Sequence, residues 1–131
     1  MVPAKKASLT YRLATILLVE DDVLERMSLA DQLRSAGYAV LEAWNADEAL
    51  DLLNRNLNEV QVVLSDIRLP GRMDGVELAH AIRAQNPDIK IVLASGQSFS
   101  TSHWFDTDGF FPKPYNAVRL IEHIKRLLLL H

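Results

Sequence analysis

The chain has 131 residues, 49% apolar and 24% charged, which fits one folded domain with a sizeable core and argues against an extended disordered chain. Its net charge of −3, with both signs interspersed, excludes a basic footprint for nucleic acid or an anionic membrane surface. With no cysteine, disulfides and thiolate chemistry are excluded, and a zinc site would need histidine and carboxylate alone.

Residues 1–13 read as a mobile leader. Lysines precede an apolar run there, as in a secretory signal, but Arg12 interrupts the run upstream and Glu20, Asp21 and Asp22 end it. No segment reaches the length of a membrane span, so a cytoplasmic protein is expected. From residue 15 onward, apolar runs and helical patterns alternate. "TILLV" (15–19) is a strand buried on both faces. Asp22 with Glu25 forms an N-cap pattern, opening a helix with Val23, Met27, Ala30 and Leu33 at helical spacing and Gly37 as its C-terminal stop. "YAVLEA" is the second strand. Asn45 with Glu48 opens a helix whose apolar face is Ala46, Ala49, Leu50 and Leu53. "VQVVLS" (60–65) is the third strand, and Asp74 with Glu77 caps a helix carrying Val76, Ala79 and Ile82 that stops before Pro87. "IKIVLAS" (89–95) and "GFF" (109–111) are the fourth and fifth strands. A last helix runs from about Asn116 with Val118, Ile121, Ile124 and Leu128 on one side.

Strand and helix alternating in this way predict an α/β domain, a parallel sheet covered by helices on both faces. Sites in such sheets lie outside the carboxyl ends of the strands. The first strand ends in Glu20, Asp21 and Asp22, the third in Asp66, the fourth in Ser95, and the fifth leads into Lys113. Each has a bland reading as a cap, a loop hydroxyl or a solvated charge, but their coincidence at strand ends favours a joint role. Carboxylates from two strands repel unless a cation lies between them, and oxygen-only ligands suit Mg²⁺ completed by water and phosphate. Asp66 is then a potential nucleophile toward phosphorus, with Lys113 and the metal meeting the charge on the phosphoryl oxygens and Ser95 donating a hydrogen bond to one of them.

The segments "ILLVEDD", "VVLSDIRLPGRMDGVELA", "IVLAS" and "FFPKPY", in that order, resemble the receiver domain of bacterial two-component response regulators over residues 14–131. The resemblance implies a flavodoxin-like (βα)5 fold with strand order 2-1-3-4-5. It also implies Mg²⁺ as cofactor and Asp66 phosphorylated by a sensor histidine kinase or histidine phosphotransfer protein. By position, Asp21, Asp66 and the backbone carbonyl of Arg68 are the metal ligands, and Glu20 acts through water. Ser95 and Lys113 contact the phosphoryl group, and Phe110 stands with Ser95 as the switch pair. Such a domain catalyses only its own phosphotransfer and dephosphorylation. Three features depart from the family pattern: one extra residue between Asp66 and Gly75, a short 95–113 segment implying a short or irregular fourth helix, and Phe110 without a phenol hydroxyl. The last helix ends at the chain terminus, so the expectation is a single-domain regulator with no output domain. It would act as a monomer or weak homodimer through a downstream protein partner, without nucleic acid or membrane; "LLLL" (127–130) is a candidate contact.

Other readings are weaker. An aspartate-nucleophile phosphohydrolase wants a second acid two residues after the first, where Arg68 stands, and a nucleotide fold wants a glycine-rich turn that the chain lacks. The serious alternative is a phosphate sink, or a degenerate receiver acting as a binding module.

Overall fold

The computed structural model describes residues 14–96 and 107–129. Five strands, β1 (Thr15–Val19), β2 (Ala39–Ala43), β3 (Val60–Asp66), β4 (Lys90–Ser95) and β5 (Gly109–Pro112), form one sheet. Its order is β2-β1-β3-β4-β5 and every pairing is parallel, the flavodoxin-like topology that the receiver resemblance implies. The described residues hold four helices: α1 (Val23–Ser35), α2 (Ala46–Arg55), α3 (Gly75–Gln85) and α4 (Ala117–Leu129). The position of a short fourth helix between β4 and β5 lies outside the described residues, as do the leader and the end of "LLLL".

The central strands are continuous apolar runs because both of their faces are covered. One face packs Leu17, Val19, Val63, Ile91 and Leu93 under α2 and α3. The other packs Ile16, Leu18, Val62, Leu64 and Val92 under α1 and α4. Successive side chains point to opposite faces, so adjacent Phe110 and Phe111 divide between these two cores.

All three predicted caps form. The side chains of Asp22, Asn45 and Asp74 each accept from the backbone N–H three residues on, and Asp74 with Glu77 closes a full capping box. Gly37 ends α1 in the left-handed region, where an L side chain is strained.

Two helix faces differ from the expected ones. In α1 the buried stripe is Leu29, Ala30 and Leu33, with Val23 and Met27 about half exposed. Arg26 takes the inward position one turn before Leu29, donating through Nη1 to the Glu20 carbonyl at 2.9 Å and through Nε to Glu42 at 3.2 Å. In α4 the buried residues are Leu120 and Ile124, while Val118 lies in the first turn and is exposed. The Asn116 side chain instead accepts from the N–H groups of Val118 and Arg119 at 2.8 and 3.2 Å.

Candidate functional site

The parallel topology brings the ends of β1, β3, β4 and β5 to one edge. Asp66 is the last residue of β3, in register with Ala94 of β4, and its backbone is fixed on two sides. The next N–H, of Ile67, donates to the Ala94 carbonyl at 2.8 Å, and the Ser65 hydroxyl donates to the Asp66 carbonyl at 2.8 Å. The loop leaving Asp66 returns at α3, where the Gly75 N–H donates to the Ile67 carbonyl at 2.7 Å. A Cβ at Gly75 would overlap the Asp66 carbonyl oxygen, so glycine is required by the close approach of the two backbones.

Carboxylate oxygens of Glu20, Asp21 and Asp66 lie within 4.8 Å of one another. Asp21 is exposed, Asp66 half-buried and Glu20 buried. The Lys113 ammonium enters this group from β5, donating to Glu20 Oε1 at 2.7 Å and to Glu25 Oε1 at 2.8 Å, and lies 3.5 Å from Asp66 Oδ1. The Lys113 N–H donates to the Ser95 carbonyl at 2.7 Å, tying β5 to the end of β4. Ser95 is buried at that same edge.

Burial pushes the Glu20 carboxyl above its ordinary pKa despite the hydrogen bonds from Lys113 and the Asp22 N–H. Asp66 is also raised, first by burial and further by the Asp21 and Glu25 charges, with Lys113 opposing. For Lys113, burial acts downward, but the hydrogen bonds to Glu20 and Glu25 and the charge of Asp66 outweigh it and raise the ammonium pKa. Both values move up, which favours the charged lysine but not the charged aspartate, because the lysine is held by the two glutamates at shorter range than by Asp66. The cluster is therefore short of positive charge. Its donors are all oxygen, which fits a small hard cation and not a thiophilic one.

Of the predicted residues, Glu20, Asp21, Asp66 and Lys113 are brought together, and Ser95 lies at the same edge. Arg68 is exposed in the loop after Asp66. Phe110 is half-buried against the α2–α3 core, opposite Leu93 in the sheet register. Glu25 was legible only as a cap partner, yet it is a direct partner of Lys113; the acid one turn along the helix that follows the "EDD" end of β1 was the available signal.

Residues 16–125 match the family model of the response regulator receiver domain. The chain belongs to the response regulator receiver family. It is 39% identical over 119 residues to the sensor kinase CckA of Brucella abortus, a match covering 88% of this chain and 12% of that protein. It is 34% identical over 116 residues to the C4-dicarboxylate transport regulator DctD of Rhizobium meliloti, covering 86% of this chain and 25% of that one. The chain thus spans a quarter or less of these two relatives. Among solved structures, the response regulator TrrA of Thermotoga maritima in complex with Mg(2+)-BeF superposes with a TM-score of 0.80 at 32% identity, covering 88% of this chain and 99% of that one. The receiver domain of hybrid histidine kinase CckA superposes with a TM-score of 0.74 at 33% identity, with the same coverage. Receiver domains accept phosphoryl groups in two-component signalling and bind Mg²⁺ at an acidic pocket, and this receiver carries such a pocket in Glu20, Asp21 and Asp66. No helix among its described residues is long and apolar enough to cross a membrane.

Proposed function

We propose that this receiver takes a phosphoryl group on Asp66 from a phosphohistidine of a sensor histidine kinase or histidine phosphotransfer protein, with Mg²⁺ bound beside it. The observation that carries this reading is the Asp66 carboxylate at the end of β3, within 4.8 Å of the Glu20 and Asp21 oxygens and 3.5 Å from Lys113 Nζ. The metal would be held by Asp21, Asp66 and the Arg68 carbonyl, with Glu20 reaching it through water. When bound, it would neutralise charge on the phosphoryl oxygens.

Asp66 Oδ attacks phosphorus, the P–N bond of the phosphohistidine breaks, and its electron pair stays on the departing imidazole, which takes up a proton. Lys113 meets the negative charge of the transferred group from the β5 side, and the Ser95 hydroxyl donates to one of its oxygens. The domain, as a monomer or weak homodimer, signals through a downstream protein partner in the cytoplasm. The exposed apolar side chains of Val23, Leu24 and Val118, with Leu24 lining the groove beside Lys113, support protein contacts as its output or input. Ser95 and Phe110 form the switch: phosphate draws the hydroxyl inward and the phenyl ring buries further.

Intact mass after incubation with acetyl phosphate tests this reading. One phosphoryl mass should appear with Mg²⁺, disappear with chelator and be absent in Asp66→Asn. An unmodified wild type, beside a control receiver that the same donor labels, overturns it in favour of a binding module.

A further inference from the structure

The three carboxylates around Lys113 are not equivalent. Glu20 is buried, and its second oxygen, Oε2, already accepts from the Asp22 N–H at 3.0 Å. Glu25 makes an equally short contact with the ammonium, but its side chain is 55% exposed. Asp66 is held at the longest distance of the three, 3.5 Å.

We propose that Glu25 is a positioning residue that competes with a phosphoryl group on Asp66 for the Lys113 ammonium and is displaced when that group arrives. The inference rests on Asp66 being the phosphoryl acceptor. An ammonium has three N–H donors, and a phosphoryl group brings three strong acceptor oxygens and up to about two negative charges. Two of those donors are already held by Glu20 and Glu25, so a phosphoryl group that engages more than one of them must displace one of these partners. Releasing Glu20 would strand a buried carboxylate without its counter-ion, whereas Glu25 turns into water at little cost. Its backbone stays in place because the Glu25 N–H is held by the Asp22 cap at 3.0 Å. Glu25, Lys113 and Leu24 line a groove of about 680 Å³ beside the site, which gives the freed carboxylate open space. The Glu25–Lys113 pair therefore belongs to the unphosphorylated state and stabilises it selectively, and a contact made in only one state shifts the balance between the two.

Titration of the full chain with beryllofluoride at saturating Mg²⁺, followed by amide NMR, reads this competition. Glu25→Gln should bind the phosphate mimic about three-fold more tightly, the effect expected from removing one exposed ion pair. Glu25→Asp keeps the charge but shortens the reach by one methylene, and should tighten binding in the same direction. In a Lys113→Met background, Glu25→Gln should change nothing further. The proposal is overturned by a Glu25→Gln variant no tighter than wild type. It is equally overturned by Glu25→Asp matching wild type while Glu25→Gln tightens, or by a gain that persists without Lys113, since either marks a field effect of the charge alone. A wild type that does not bind the mimic removes the assignment of Asp66 and the proposal with it. A wild type that binds, with variants unchanged, removes only the role of Glu25.

Discussion

Two half-buried charge clusters sit at opposite corners of β5 and are built on different terms. At its start, Asp108 Oδ2 accepts from Arg83 of α3 and from the Ile91 N–H of β4, both at 2.8 Å, and the Asp108 carbonyl accepts from His123 Nε2 of α4 at 2.7 Å. One carboxylate meets one guanidinium, and the remaining acceptors meet neutral donors. Just past the end of β5, one ammonium faces Glu20, Glu25 and Asp66, with Asp21 beside them. The first cluster staples α3, β4, β5 and α4; the second is left with excess negative charge. A balanced cluster reads as structure, and an unbalanced one as a place prepared for something else to bind.

The sharpest way to break this comparison is to remove one carboxylate from each. Asp66→Asn should lose phosphoryl uptake completely by intact mass, while Asp108→Asn should still take up one group per chain. Loss in both would make the two clusters one functional unit.

Stability should move in opposite directions. Asp108→Ala leaves Arg83 and the Ile91 N–H without this acceptor and should cost about 2–3 kcal/mol in urea unfolding. Asp66→Asn relieves a repelled carboxylate and should stabilise the metal-free protein by about 1 kcal/mol. A destabilised Asp66→Asn would mean that Lys113 already balances the site.

Millimolar Mg²⁺ should raise the melting temperature of the wild type by roughly 3–5 °C, as expected when a ligand adds about 1 kcal/mol to a domain of this size. Asp21→Asn should abolish most of that rise and Asp108→Asn should keep it. An equal rise in Asp21→Asn places the cation elsewhere.

The smallest effect concerns pH. Glu20 and Asp66 have folded pKa values above their ordinary ones, so the folded state holds their protons more tightly than the unfolded state. Their contribution to stability is full below the ordinary carboxylate range and is lost as pH rises through the raised values. Lys113 stays charged throughout this window, because its pKa is raised from 10.5. In chelator, melting temperature should therefore rise slightly as pH falls from neutrality toward the ordinary carboxylate range, and Asp66→Asn should flatten that slope. An unchanged slope would assign it to groups outside the cluster.

Strand positions and caps are legible because period and capping chemistry are local, the strand order comes from the family resemblance, and the Glu20–Asp21–Asp66–Lys113 grouping follows from the rule that sites in parallel sheets lie at the strand ends. The inward face of α1 was not legible. Its Val23–Met27 spacing looks like a core stripe, yet Arg26 holds the inward position through bonds to Glu20 and Glu42 that only the assembled sheet supplies. The Asp108–Arg83 staple was equally invisible, since it joins residues 25 apart whose meeting depends on the β5 register. Glu25 carries two roles on one side chain's position, its N–H bound by the cap and its carboxylate by Lys113, and the cap pattern masks the second.

Gly75 limits which sequences can occupy this corner of the molecule. The loop between Asp66 and α3 can gain or lose residues near Gly71, where the backbone has a positive φ and nothing crowds the Cα. Its two ends cannot drift, because the Gly75 Cα is pressed against the Asp66 carbonyl. Length variation is thus absorbed in the middle of the loop without reaching the aspartate. The converse also holds: a single methyl group at position 75 would displace the Asp66 backbone while leaving every charge in the site untouched.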